Sequence, residues 1–266
     1  MRNTFYYAFL GLVMLVSAAC NKEGCTDSKA LNYDPEVTKD DGSCVYLVQN
    51  LNFRFNAKLG TTDFAYNKEL TTTSGRKVKV TKAQMYLSGF SFNGNGTNYT
   101  IADSYLLMTP EVSDYNVGYL PEATYDGFSF TAGVDSVANH TDPATWPGTS
   151  ALSSNNPNHM HWGWNPGYIF FVLEGKVDTS AAKNGAVNAP FVFHVGTDMH
   201  RVKLPFAKQV QAKADGVTVE LAVDWFELIK EMDMTEDLDS RITHVDDNPA
   251  LAALFVSKLP SVFTVH

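Results

Sequence analysis

The side chains able to hold a transition metal crowd into one part of the sequence. There are seven histidines: His140, His159, His161, His194, His200, His244 and His266. Imidazole ligates copper and zinc, and thioether sulfur adds a preference for Cu(I). Met160 and Met199 stand beside these histidines in the chain. His159 and His161 flank Met160 in HMHWGWNPGY; they are two apart, so an extended backbone points both to one side. His140 lies in VANHTDP, and His194 lies in the otherwise apolar FVFHVG. Each also has a plainer reading. A single strand histidine is commonly a hydrogen-bonded core residue, Trp162, Trp164 and Tyr168 read equally as core aromatics, and His266 is terminal.

Enzyme chemistry finds less support. The chain has no G-x-S-x-G, H-E-x-x-H, P-loop or C-x-x-C-H motif. The adjacent pair Asp246-Asp247 does not flank a substrate in any recognisable way. The expectation is a binding protein and not an enzyme.

Cysteine chemistry points to export. Arg2 precedes an apolar run, Phe5 to Val16, and the small residues Ser17-Ala18-Ala19 lead directly into Cys20. A run this short is a signal peptide and not a membrane anchor. Residues 1–19 are expected to be removed, leaving Cys20 as a lipidated first residue; ordinary cleavage with a free Cys20 thiol is the alternative. Of the three cysteines, Cys25 and Cys44 then remain to pair in an oxidising compartment. A bridge closing about twenty residues contributes about 3 kcal/mol in the chain-entropy model. Residues 20–45 thus form a lipidated N-terminus with a small disulfide module, GCTDSKALNYDPEVTKDDGSCVY, similar to cysteine-bounded modules of secreted Bacteroidetes proteins. Asp27, Asp34, Asp40 and Asp41 could hold calcium there, although their spacing is not that of an EF-hand. A solvated acidic loop is the alternative.

The elements that must position these groups read as strands. The formal charge is −9, and loss of Arg2 makes the mature chain more acidic still, which disfavours nucleic acid or anionic lipid as a charge partner. Residues 46–266 suit one domain. Leu51, Phe53, Phe55, Ala57 and Leu59 alternate with polar residues, as a half-buried strand does. Further strands are predicted over 77–81, 84–92, 99–108, 127–132, 168–173, 189–195, 201–206 and 217–223, punctuated by turns such as Asp215-Gly216. Residues 224–232 suggest a short helix. Asn248 can cap another that has Pro249 in its first turn. The expected fold is all-β: a sandwich of mostly antiparallel strands with one or two short C-terminal helices. A loop rich in Asn, Pro, Ser and Thr fills 134–160, and loops this long are commonly functional or disordered.

Across residues 46–266 the chain resembles the MbnP-like copper-binding protein family, as a Bacteroidetes-type lipoprotein member. The resemblance rests on the early strand with MYLSGF, then GVDSVANHTDP, HMHWGWNPGYIFFVLEG and FVFHVG, in that order. It implies a β-sandwich in the cell envelope, here an outer-membrane lipoprotein on the periplasmic or surface face, following from Asn21 after Cys20. It implies a copper site of histidines: His140 and His194 match best and His161 third, with His159, His200 and Met160 as secondary candidates. In some members a tryptophan becomes kynurenine, and a dihaem cytochrome c peroxidase-like partner accompanies that oxidation. The residues two before the candidate ligands are Ala138, His159 and Val192, none of them tryptophan. The function implied is copper acquisition, storage or delivery. The rival is a metal-free cell-surface interaction module that keeps the fold.

Overall fold

The computed structural model describes residues 22–28, 30–94, 97–163, 166–244 and 247–266. The signal segment, the lipidation at Cys20 and Trp164 lie outside them. The chain divides into two compact units, Met1–Leu47 and Val48–His266. In the first, Cys25 and Cys44 are disulfide-bonded with Cα atoms 4.7 Å apart. Parallel pairing of Glu23–Gly24 with Lys39–Asp40 completes the small unit.

The strands of the second unit that frame the two main sheets are β1 (Val48–Leu59), β2 (Lys77–Gly94), β3 (Asp114–Pro121), β4 (Gly127–Ala132), β5 (Ile169–Val177), β6 (Ala189–Gly196), β7 (Val202–Phe206), β8 (Val217–Asp224), β9 (Ile242–Thr243) and β10 (Phe263–Val265). The helices are α1 (Ser136–Asn139), α2 (Pro249–Val256) and α3 (Leu259–Val262). One sheet runs in the order β7-β4-β2-β5-β6-β9, with short strands added along β2. The other runs β10-β8-β1, with β3 also pairing with β1. Most neighbours are antiparallel; β1 with β8 and β6 with β9 are parallel.

This is the expected all-β sandwich. The alternation of β1 buries Leu51, Phe53 and Phe55. Phe53 meets Phe90 of β2 at 4.9 Å between ring centroids, and Phe128 and Phe130 of β4 edge-on at 5.7 and 6.1 Å. Offset and edge-to-face aromatic contacts of this kind add to simple area burial. Several boundaries differ from expectation. Residues 77–81 and 84–92 are one eighteen-residue strand, β2, not two. The expected strand over 99–108 breaks into Thr97–Thr100 and Tyr105–Met108 around Asp103, whose φ is +48°. In place of the helix at 224–232 there is a 3-10 turn, Trp225–Leu228, capped by the Asp224 carboxylate. Asn248 does cap α2, accepting from Leu251 N, and Pro249 opens it.

Candidate metal centre

Three glycines lock the motif segments together, because other chain occupies the space their side chains would need. At Gly167 a Cβ would sit 2.5 Å from Asn139 O. At Gly196 it would sit 2.5 Å from Tyr168 O and 2.7 Å from the Trp162 ring. At Gly175, where the β5 pairing shifts register, it would sit 2.1 Å from Lys79 O. Asn139, Trp162, Gly167-Tyr168 and Gly196 are therefore packed into one corner, with Gly175 against the adjoining strand.

At the corner, Asp135 caps α1 and His140 closes it. His140 is half exposed, and its Nε2 lies 3.5 Å from Asp198 Oδ2. The same carboxylate accepts from Ser136 Oγ and, at 3.0 Å, from Asn139 Nδ2. Burial pushes the Asp198 carboxyl up, but these hydrogen bonds and the charges of His140 and Arg201 outweigh it and hold it below its ordinary value. Buried Asn139 also accepts from Tyr168 N at 2.8 Å. Thr197, with φ +69°, turns the chain into Asp198–His200; a β-branched residue there is strained. His200 is buried, its Nδ1 bonded to Gly196 O at 2.7 Å.

The aromatic segment holds a second group. His159 Nδ1 donates to Asn156 O at 2.9 Å. His161 Nδ1 accepts from Gly163 N at 2.9 Å, and its ring stands edge-on to Tyr168 at 4.7 Å. Burial holds the His161 imidazole below its ordinary pKa; His159 pushes the same way and Asp142 opposes. Met160 is in the core, its N–H bonded to the Tyr86 hydroxyl, which removes its sulfur from the surface.

The third group lies on the sheet. In β6 the residues Phe191, Phe193 and Val195 are buried, with Phe193 stacked on Phe255 of α2 at 5.2 Å. His194 falls on the opposite face. Its Nε2 lies 2.9 Å from Glu174 Oε1 of β5, and its side chain is 22% exposed. Burial holds this imidazole below its ordinary pKa; Glu174 opposes, while His244 and Lys82 push it further down. His244 follows β9. Its ring lies 5.1 Å from that of His194, nearly perpendicular, and its Nδ1 is 3.0 Å from Asp247 Oδ2.

The structure thus gives His140, His161 and His194 different side-chain partners. Among the described residues no three His, Cys, Asp or Glu side chains stand ready to hold one metal ion. In the disulfide unit the acidic side chains are spent internally. Asp34 pairs with Lys22, Asp40 and Asp41 cap the turns at Gly42 and Ser43, and Asp27 accepts from the Tyr46 hydroxyl. His244 is the site residue that sequence reasoning passed over. It is fifty positions beyond His194 and is brought there by the parallel register Phe193↔Thr243, a two-residue pairing with no sequence signature.

Fold and site together define a class: an all-β sandwich domain that sets imidazoles against carboxylates along one sheet and its corner. The model of the MbnP family matches residues 48–245, and the chain belongs to that family. The chain is also similar to the solved structure of MbnP from Methylosinus trichosporium, at 18% identity and a TM-score of 0.49, over 71% of this chain and 80% of that one. No curated protein matches the chain. No helix among the described residues is long and apolar enough to cross a membrane.

Proposed function

We propose that this chain is an exported, lipid-anchored copper-binding protein that takes up, stores or delivers the ion through histidines, and that it is not an enzyme. The observation that carries the reading is His194. It lies within the family-matched span, and one ring nitrogen is tied to the Glu174 carboxylate. Metal-ligating histidines characteristically have their second nitrogen held in this way, which fixes the tautomer and raises ligand basicity. The family's association with copper supports the choice of metal. The small residues before Cys20 support the anchor, and the dihaem partner enters through the family alone.

A second reading has its own observation. The three leading histidines have separate partners, and no group of three donors stands ready among the described residues. This favours a metal-free interaction module on the same fold. Metal analysis of protein purified with copper supplied decides between them. The copper reading expects about one copper per wild-type chain and a large loss in His194→Ala. Equal trace copper in both leaves the interaction module standing. Replacing Cys20 with alanine is expected to release the protein from membranes, and an unmodified Cys20 in the intact mass would refute the anchor.

A further inference from the structure

The outer face of the second sheet breaks a composition rule that its inner face obeys. On β1, Leu51, Phe53 and Phe55 are buried, and Asn50, Asn52, Arg54 and Asn56 alternate with them on the outside. Asparagine is depleted in strands, because its short amide competes for the backbone and packs poorly on a pleated surface. Threonine, valine or tyrosine would stabilise the same outward positions better. Three asparagines on one strand, with Asn116 of β3 beside Asn52, therefore cost stability and mark a surface kept for its polar groups.

Neighbouring strands widen this face. Tyr119 of β3 stands opposite Asn50 and is 57% exposed. Thr218 and Ala222 of β8 lie beside Asn52 and Asn56, and Thr264 of β10 lies beside Ala222. Arg54 is held from both sides, by Asp114 at 2.7 Å and Glu220 at 3.0 Å. The side chains of Asn50, Asn56, Tyr119 and Thr264 have no hydrogen-bond partner among the described residues. At the Asn56 end the face becomes concave. Pairing of β1 with β3 stops at Arg54 and Asp114, and the turn that sets Asp63 against β1 starts only at Lys58. Around this gap lies a hollow of about 610 Å³, lined by Asn56, Phe64, Glu111, Ser113 and Thr264 among others. Aromatic wall and a few fixed polar groups are the usual make-up of a small-molecule site.

We propose that this face binds a neutral, extended glycan of the β-1,4-linked type, with one end in the hollow and the chain running along β1 to Tyr119. An amide offers two donors and an acceptor in one plane, which matches adjacent ring hydroxyls. An exposed tyrosine ring covers the apolar C–H face of a pyranose while its hydroxyl stays in water. Charge selects against anionic chains. Asp63, Glu111, Asp114 and Glu220 outnumber Arg54 and Lys58, and both cations are already paired. Length selects an oligomer: from Asn50 to Asn56 the strand advances about 20 Å, at about 3.4 Å per residue. A glycan that stays straight over that distance meets every outward position, whereas a coiled α-linked one leaves the face early. The site shares no residue with the candidate metal centre, so it stands or falls apart from the copper reading.

The test is affinity electrophoresis of the mature chain in gels holding hydroxyethylcellulose, xylan, dextran or alginate. Calorimetry then uses the hexasaccharide of the retarding polymer. Retardation is expected in hydroxyethylcellulose or xylan and not in dextran or alginate. Tyr119→Ala and Asn56→Ala are each expected to weaken hexasaccharide binding about tenfold, and Asn50→Thr about threefold. His194→Ala should leave it within about twofold of wild type. Asn50→Thr has a second readout: its thermal transition should rise as binding falls, because threonine is the better strand residue. A wild-type chain that no β-1,4-linked polymer retards overturns the proposal. So does equal retardation by dextran or alginate, or binding that Tyr119→Ala and Asn56→Ala both leave within about twofold. A lowered transition in Asn50→Thr overturns it too, since the asparagines would then serve the fold.

Discussion

The corner around Asp198 and the pair on β6 are built from the same residue types and do different things. At the corner the polar side chains bond mainly to one another. Asp198 takes two hydrogen bonds from Ser136 and Asn139, and Asn139 also receives Tyr168 N. At the pair each histidine has a single carboxylate and one nitrogen left over. The first network fixes three chain segments against one another, and the second leaves one nitrogen of each ring without a hydrogen bond among the described residues. Counting histidines cannot separate the two; following their second nitrogens does.

Breaking the corner is expected to have the largest effect on stability. Asn139→Ala strands a buried backbone N–H and one side of Asp198, at a cost of about 3 kcal/mol. Removing the His194 ring should cost no more than about 1 kcal/mol, because it is part exposed and its one lost partner, Glu174, can reach solvent. Urea midpoints of both variants measure the contrast, and equal losses would erase it. Next in size is Gly175→Ala. Its methyl must push against Lys79 O and the Phe191 ring, which costs about 2 kcal/mol and shifts the neighbouring Glu174. The His194 ring-nitrogen chemical shifts should move in this variant and stay put in Asn139→Ala.

The smallest effect is on pH dependence in metal-free protein, and its two branches fall in different windows. His194 has a folded pKa below its ordinary 6.5, with burial as the largest cause. As pH falls through 6.5 the unfolded chain binds a proton that the folded one refuses, so stability declines until the folded value is passed. Asp198 has a folded pKa below its ordinary 3.8. Its contribution is complete above 3.8 and is lost as pH falls through the lower folded value. His194→Gln should flatten the upper branch and Asp198→Asn the lower one. A swap of those assignments would contradict the electrostatics described here.

Most of the sandwich was legible because burial on one face writes a period of two. Leu51-Asn52-Phe53-Arg54-Phe55 is buried as that alternation requires. β3 was not legible: DYNVGYLP has no clean alternation, and Gly118 at φ +125° interrupts it. The helix expected after Asp224 fails because its capping carboxylate starts only a 3-10 turn. Of the site, His194 could be found from FVFHVG, and Glu174 only once β5 and β6 were paired. His244 could not, since nothing local to THVDD reports a distant parallel neighbour.

The parallel pairing of β1 with β8 sets the order of events in time. Leu51 lies against Val217 and Lys58 against Asp224, and the Arg54–Glu220 ion pair spans 166 positions of sequence. Closing so long a loop costs entropy before any contact returns it, and chains dominated by such pairings fold in milliseconds to seconds. β1, with Phe53 and Phe55 buried on one face, can pair early with β3, but its other edge must wait for β8, made much later. Until then that edge leaves a row of unpaired backbone groups open to any other strand.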